Sequence, residues 1–288
     1  LFVVAGCYVF RISMTQFLNG KAERNKGMRG RYSLVAAAAL CLACDAMAGR
    51  PLTIDDADPV EAGGFEIEAG AAYEHDPDCD HWDFPLGLTF GMMSGAEIGI
   101  GFGGQFEERT RVLENCAQEK ERVDGIGDLT LGFKWRFIES CPLGVRHALA
   151  PSVKFPTADE GKELGSGRTD YDFAWIASRS LGDRASVHMN LGYSWIGGPD
   201  DDVIRWGVAL DFQILDALQW VGEVFAERQL SEGSDAVWRY NTGFRWSGDE
   251  SLTLDMAAGS GISGDAPDIA ATLGLTWAFG LPTEGKEE

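Results

Sequence analysis

From Ile269 to Phe279 the chain alternates without a break. Ile269, Ala271, Leu273, Leu275, Trp277 and Phe279 are apolar, whereas Ala270, Thr272, Gly274, Thr276 and Ala278 are small or polar. A period of two belongs to a β-strand with one apolar and one polar face. The pattern recurs from Phe65 onward in segments of about ten residues separated by turns, the length and rhythm of strands that cross a membrane in a closed sheet. The expected fold is all-β, an antiparallel transmembrane β-barrel of about twelve strands.

Alternation and turn chemistry place strands at 65–74, 83–92, 97–106, 128–137, 148–155, 170–179, 186–195, 203–212, 218–227, 237–246, 251–260 and 268–279. An even count puts both ends of the barrel on one side of the membrane. The connections at 93–95, 181–184, 214–217 and 247–249 are tight. Those at 75–82, 107–127, 156–169, 197–202 and 229–236 are longer. Short periplasmic turns and longer extracellular loops are the barrel pattern, and a soluble sandwich has no reason to sort its loops this way.

The segment from Asp128 to Phe137 shows which face is which. Leu129, Leu131, Phe133, Trp135 and Phe137 share one face; Asp128, Thr130, Gly132, Lys134 and Arg136 share the other. A Lys or Arg facing lipid at the midplane costs about 2–4 kcal/mol, so the apolar face points outward. Trp135, Trp195, Trp246, Trp277 and Phe279 fall near strand ends, where an aromatic girdle belongs. The inward face mixes charge with glycine, which implies a narrow polar lumen with internal ion pairs. About twelve strands leave a slim passage. Candidate lumen and selectivity residues are Lys134, Arg136, Arg205, Glu223, Arg239, Arg245 and Asp255. Counting register across the 229–236 hairpin sets Glu223 beside Asn241 and predicts an ion pair from Glu223 to Arg205 or Arg239.

The beginning of the chain has a different character. Met28-Arg29-Gly30-Arg31 is basic, Leu34 to Cys44 is a short apolar run, and Ala46-Met47-Ala48 is a small-residue cleavage site. Residues 1–48 are therefore expected to be an upstream segment plus a signal peptide, with translation starting at Met28 and cleavage after Ala48. The barrel is expected over 49–280 and a polar C-terminal tail over 281–288. The net charge of the full chain is −21, and the segment through Ala48 contributes +4, leaving about −25 for the rest. That balance excludes a nucleic-acid partner. No metal site or cofactor motif is visible. Beyond the signal peptide the cysteines are Cys79, Cys116 and Cys141, none in a C-x-x-C pair. Cys79 and Cys116 fall in consecutive extracellular loops and can pair in an oxidising compartment, while Cys141 falls in a periplasmic turn. Three free thiols are the competing reading.

Gly125-Ile126-Gly127-Asp128 leads into Leu131-Gly132-Phe133-Lys134-Trp135-Arg136-Phe137. Phe155-Pro156-Thr157 precedes Leu164-Gly165-Ser166-Gly167 and Asp170, and His188-Met189-Asn190-Leu191-Gly192-Tyr193 follows. In order and spacing these stretches resemble the outer-membrane barrels named for the MetA pathway of phenol degradation. The resemblance runs from about Phe65 to Phe279. It implies a bacterial outer-membrane location and a transport function, with some members associated with aromatic-compound catabolism. One departure is the tail from Gly280 to Glu288, since such barrels commonly end on an aromatic residue.

Three functions follow. The first is a channel through which small solutes, aromatic compounds among them, diffuse passively; its partners are outer-membrane lipid, the solute and the assembly machinery. The second is a structural or adhesion barrel. The third is a lipid-modifying enzyme, for which His188 and Ser186 share a face but no third partner completes a catalytic set.

Overall fold

The computed structural model describes residues 49–77, 79–112, 118–198, 201–249, 251–263 and 266–280. Signal peptide, start site and C-terminal tail lie outside them. The strands are β1 (Gly64–Asp76), β2 (Cys79–Met93), β3 (Ala96–Val112), β4 (Gln118–Ile126), β5 (Leu129–Ile138), β6 (Val145–Phe155) and β7 (Asp170–Ser180). They continue with β8 (Ala185–Trp195), β9 (Val203–Leu215), β10 (Leu218–Gln229), β11 (Val237–Ser247), β12 (Leu252–Gly261) and β13 (Ile269–Gly280). Apart from β4 and β5, neighbours in sequence are antiparallel neighbours in space. β13 pairs back onto β1, from Gly64↔Gly280 to His75↔Ile269, and β2 onto β3, so the membrane-spanning wall closes on itself.

β3 pairs with β5 through its first half, Ala96↔Trp135 to Gly101↔Thr130, and with β4 through its second, Gly104↔Ile126 to Val112↔Gln118. β4 and β5 therefore follow one another down a single position in the wall, which is a closed barrel of twelve strands. Above that wall β3 and β4 form a hairpin where the sequence suggested a loop over 107–127. The expected long loop at 75–82 is also strand, since the β1–β2 ladder runs up to Asp76↔Cys79. Both departures share a cause. Outside the hydrocarbon layer a strand needs no lipid-facing apolar row, so alternation fades while the hydrogen-bonded ladder continues.

The inside–outside assignment holds. Leu131, Trp135 and Phe137 are exposed outward, while Thr130 and Lys134 are buried within. The girdle residues Trp135, Trp195, Trp246, Trp277 and Phe279 are all exposed near strand ends. They pack in rows, Phe65 on Phe279 with centroids 5.4 Å apart and Trp277 on Phe279 at 5.0 Å. No helix among the described residues is long and apolar enough to cross a membrane; the crossing is made by strands. At the periplasmic end the β2–β3 turn needs Gly95, whose φ of 82° places the backbone in the left-handed region, and its carbonyl accepts from Arg136 N at 2.8 Å.

Candidate functional site

The lumen is not an open pipe. Residues 49–60 form no helix or strand, lie inside the barrel and bind several of the charged residues that face it. Arg50 reaches across to Asp255 at 3.3 Å and to Thr272 Oγ1 at 2.9 Å. Glu223 accepts from the backbone of Thr53 at 2.9 Å and of Ile54 at 2.8 Å, and from Asn241 Nδ2 at 2.7 Å. Asp55 pairs with Lys134 at 2.9 Å, and Lys134 also lies 3.4 Å from Glu97. Ala57 N donates to Ser178 Oγ at 2.8 Å. Asp58 meets both Arg136 and Arg146, the latter at 3.0 Å. Arg245 donates to the Gly49 carbonyl at 2.7 Å and to that of Arg50, and pairs with Asp211 at 2.8 Å.

Apolar contacts complete the seat. Leu52 and Ile54 pack with Ala209, Val221 and Phe225, and Ala57 packs with Ala148 and Ile176. All of these wall residues face inward. Burying Leu52 and Ile54 is worth roughly 1.5–3 kcal/mol each. Gly70 and Gly274 leave the space that the Arg50 guanidinium fills, and a Cβ on either would collide with it. The segment divides the lumen. On its extracellular side a cavity of ≈ 70 Å³ is lined by Arg50, Leu52, Glu74, Asn241 and Thr272. On its periplasmic side a cavity of ≈ 630 Å³ is lined by Asp56, Pro59, Glu66, Glu68 and Ala278.

Of the seven lumen candidates, five touch this segment: Lys134, Arg136, Glu223, Arg245 and Asp255. The other two line the wall nearer the extracellular end. Arg205 contacts Asp172 and Ser194, and Arg239 lies 3.1 Å from Glu74. The expected pairing of Glu223 with Arg205 or Arg239 gives way to a different arrangement. The register is as counted, Glu223 opposite Asn241, but the carboxylate accepts peptide N–H groups that no strand pattern announces. A signal for the segment was present in the inward rows. Val221, Phe225 and Ile176 are apolar positions on an otherwise polar face, and Leu52 and Ile54 are the matching apolar pair ahead of β1.

Near the extracellular mouth a buried Lys154 lies 3.0 Å from Asp128 and contacts Asp170. Asp128 also accepts from Thr157 N and Ala158 N, each at 2.9 Å. This cluster folds the 156–169 connection onto the barrel rim. Cys79 is disulfide-bonded and Cys141 is a free thiol. Cys116 lies outside the described residues.

Residues 48–279 match the family described as "Putative MetA-pathway of phenol degradation". The chain belongs to this family. Among solved structures, this phenol-degradation family member resembles an outer-membrane channel from Pseudomonas putida F1, with a TM-score of 0.61, 13% identity, and coverage of 78% of this chain and 98% of that one. It also resembles the NanC porin, with a TM-score of 0.52, 9% identity and coverage of 73% and 98%. At these identities the likeness is one of fold, a closed outer-membrane barrel. No curated protein matches the chain in sequence.

Proposed function

We propose that this family member is a passive outer-membrane channel for small solutes, restricted at rest by its own N-terminal segment. The observation that carries the reading is the charged lumen occupied by residues 49–60. A barrel serving only as scaffold or adhesin has no use for an interior that binds a removable strip of chain. The strip is held by side chains and not by ladder hydrogen bonds, so it can leave without opening the wall. Lys134, Arg136, Glu223, Arg245 and Asp255 hold the segment, while Arg205 and Arg239 set the charge of the passage beside it. Aromatic compounds are the solute class that the family name suggests. Outer-membrane lipid and the barrel-assembly machinery are the partners this reading implies.

One arrangement speaks to the enzyme reading. Ser178 Oγ lies 2.8 Å from His188 Nδ1, and His188 Nε2 lies 3.6 Å from Asp211. The order of groups resembles a hydrolytic triad. Yet Ser178 is 1% exposed and its oxygen is taken by Ala57 N. We read the row as a tie from the wall to the segment. Purified protein in planar bilayers tests the channel reading: small, solute-dependent currents are expected. A barrel that carries no current at any voltage, while migrating as a folded heat-modifiable band, would show that it is no channel.

A further inference from the structure

The periplasmic cavity below the N-terminal segment, ≈ 630 Å³ in volume, is lopsided in charge. Seven carboxylates line it against one cation, Lys134. Asp55 and Glu97 lie 2.9 and 3.4 Å from Lys134, and Asp58 meets Arg136 and Arg146. That leaves Asp56, Glu61, Glu66 and Glu68 with no cationic partner among the described residues. The α-ammonium that the expected cleavage after Ala48 would create at Gly49, which also lines this vestibule, adds one positive charge and leaves the acidic excess in place. A recess lined by charge of one sign between low-dielectric walls concentrates ions of the other sign.

Glu68 separates this recess from a solvated acidic patch. It is 7% exposed, lines the vestibule, and has no hydrogen bond or ion pair among the described residues. Its carboxylate oxygens are not sealed off by protein atoms. The register explains the missing partner. Glu68 stands between Gly87 on β2 and Thr276 on β13, and Glu66, on the same face and nearer the periplasm, stands between Thr89 and Ala278. No base flanks either carboxylate. Arg50, which fills the space over Gly70 one inward position above, is taken by Asp255 and Thr272. A carboxylate so far removed from water costs free energy unless a ligand brings it a donor.

The spread of the charge selects the cation. Among the described residues no group of three His, Cys, Asp or Glu side chains stands close enough to hold a metal ion. A divalent ion gives up its water only for several oxygens at about 2.0–2.6 Å. Alkylammonium groups need no such cage, since each carries its own hydrogen-bond donors. The methylenes between them suit the apolar part of the lining, Pro59, Val60, Phe65 and Ala278. We propose that the vestibule binds a flexible aliphatic polyamine, with one ammonium donating to Glu68 and the others distributed over Glu66, Asp56 and Glu61. The site is tested by binding and does not need the channel reading. Calorimetric titration of the mature protein in non-ionic micelles, with protein-free micelles as blank, compares spermidine, diaminobutane and butylamine, a triamine, a diamine and a monoamine. Affinity should fall in that order, with butylamine at least about tenfold weaker than spermidine. Glu68→Gln removes an unpaired charge, should leave the heat-modifiable band intact, and should weaken spermidine at least about tenfold. Should that variant fail to fold, Glu66→Gln is read in the same way. Magnesium and sodium chloride at equal ionic strength should weaken binding alike. No binding, equal affinity for the three amines, or a folded variant that binds spermidine unchanged would overturn the site and leave only diffuse attraction to acidic loops. Displacement by magnesium beyond that by sodium would overturn it in favour of a divalent cation. Spermidine binding without bilayer current would sink the transport reading and leave the site standing.

Discussion

At the scale of single residues, many of the interior charges have a defined counterpart. Lys154 is the clearest case, being fully buried between Asp128 and Asp170. Its methylenes make little of the core, so its contribution is to neutralise two carboxylates. Lys154→Met keeps the bulk and leaves both acids without a cation. A cost of about 3–5 kcal/mol is expected for breaking a buried pair from one side. The temperature at which the folded gel band converts to the unfolded one should fall clearly. Asp170→Asn in the same background should recover part of the loss, and no recovery would show that Lys154 acts by packing. The inward position of Lys154 was legible from strand alternation, since Lys154 and Thr130 fall on the polar rows. Its partners were not, because Asp128 sits just before β5 and Asp170 at the start of β7, joined only by closure of the barrel. The same limit explains Glu223. Its face and its neighbour Asn241 follow from counting, but its main donors come from Thr53 and Ile54, far away in the chain and outside any strand.

At the scale of elements, the strands that cross lipid declared themselves and the parts beyond it did not. Within the membrane each strand must satisfy two solvents, and the contrast writes itself into the sequence as alternation. The β3–β4 hairpin stands above the wall, outside the hydrocarbon layer. Its upper pairs are polar or charged, as in Arg109↔Glu121 and Glu108↔Arg122. Arg109 lies 3.0 Å from Glu121, and Glu108 meets Lys120 and Arg122. To a pattern of apolar positions this is a loop; to the backbone it is a ladder. A disulfide is expected to brace it. Cys79 is bonded, stands opposite Arg109 in the β2–β3 register, and Cys141 is free. If residues 1–48 are cleaved off as proposed, Cys116 is the remaining partner. Peptide mapping of the unreduced mature protein should recover Cys79 and Cys116 in one linked fragment and Cys141 alkylated. A linked fragment containing Cys141 would contradict both the bridge and the two-sided topology. Reduction should increase proteolysis between β3 and β4 while leaving the barrel band unchanged.

At the scale of the whole molecule, a rigid wall and a detachable filling divide the labour. Closure from β1 to β13 satisfies the backbone hydrogen bonds of the wall without help from the interior. The filling contributes contacts but no ladder, so deleting residues 49–59 should leave a folded, heat-modifiable barrel of somewhat lower thermal stability. Its conductance should rise several-fold, because the ≈ 70 Å³ and ≈ 630 Å³ cavities would no longer be separated. The charge of the passage should change in a defined direction. The deleted stretch holds one cation, Arg50, and three anions, Asp55, Asp56 and Asp58. Its loss makes the lumen more positive and strips Lys134, Arg136 and Arg146 of acidic counterparts. Lumen charge sets ion preference in a narrow pore, and the Debye length of about 8 Å at physiological salt is long enough for these groups to be felt across it. Under a salt gradient the reversal potential should therefore move toward anion selectivity relative to the intact protein. Deleting the segment in an Asp255→Asn background should move it further in the same direction. A folded deletion variant with unchanged conductance and unchanged reversal potential would show that ions already pass beside the segment, and that residues 49–59 brace the wall without restricting the passage.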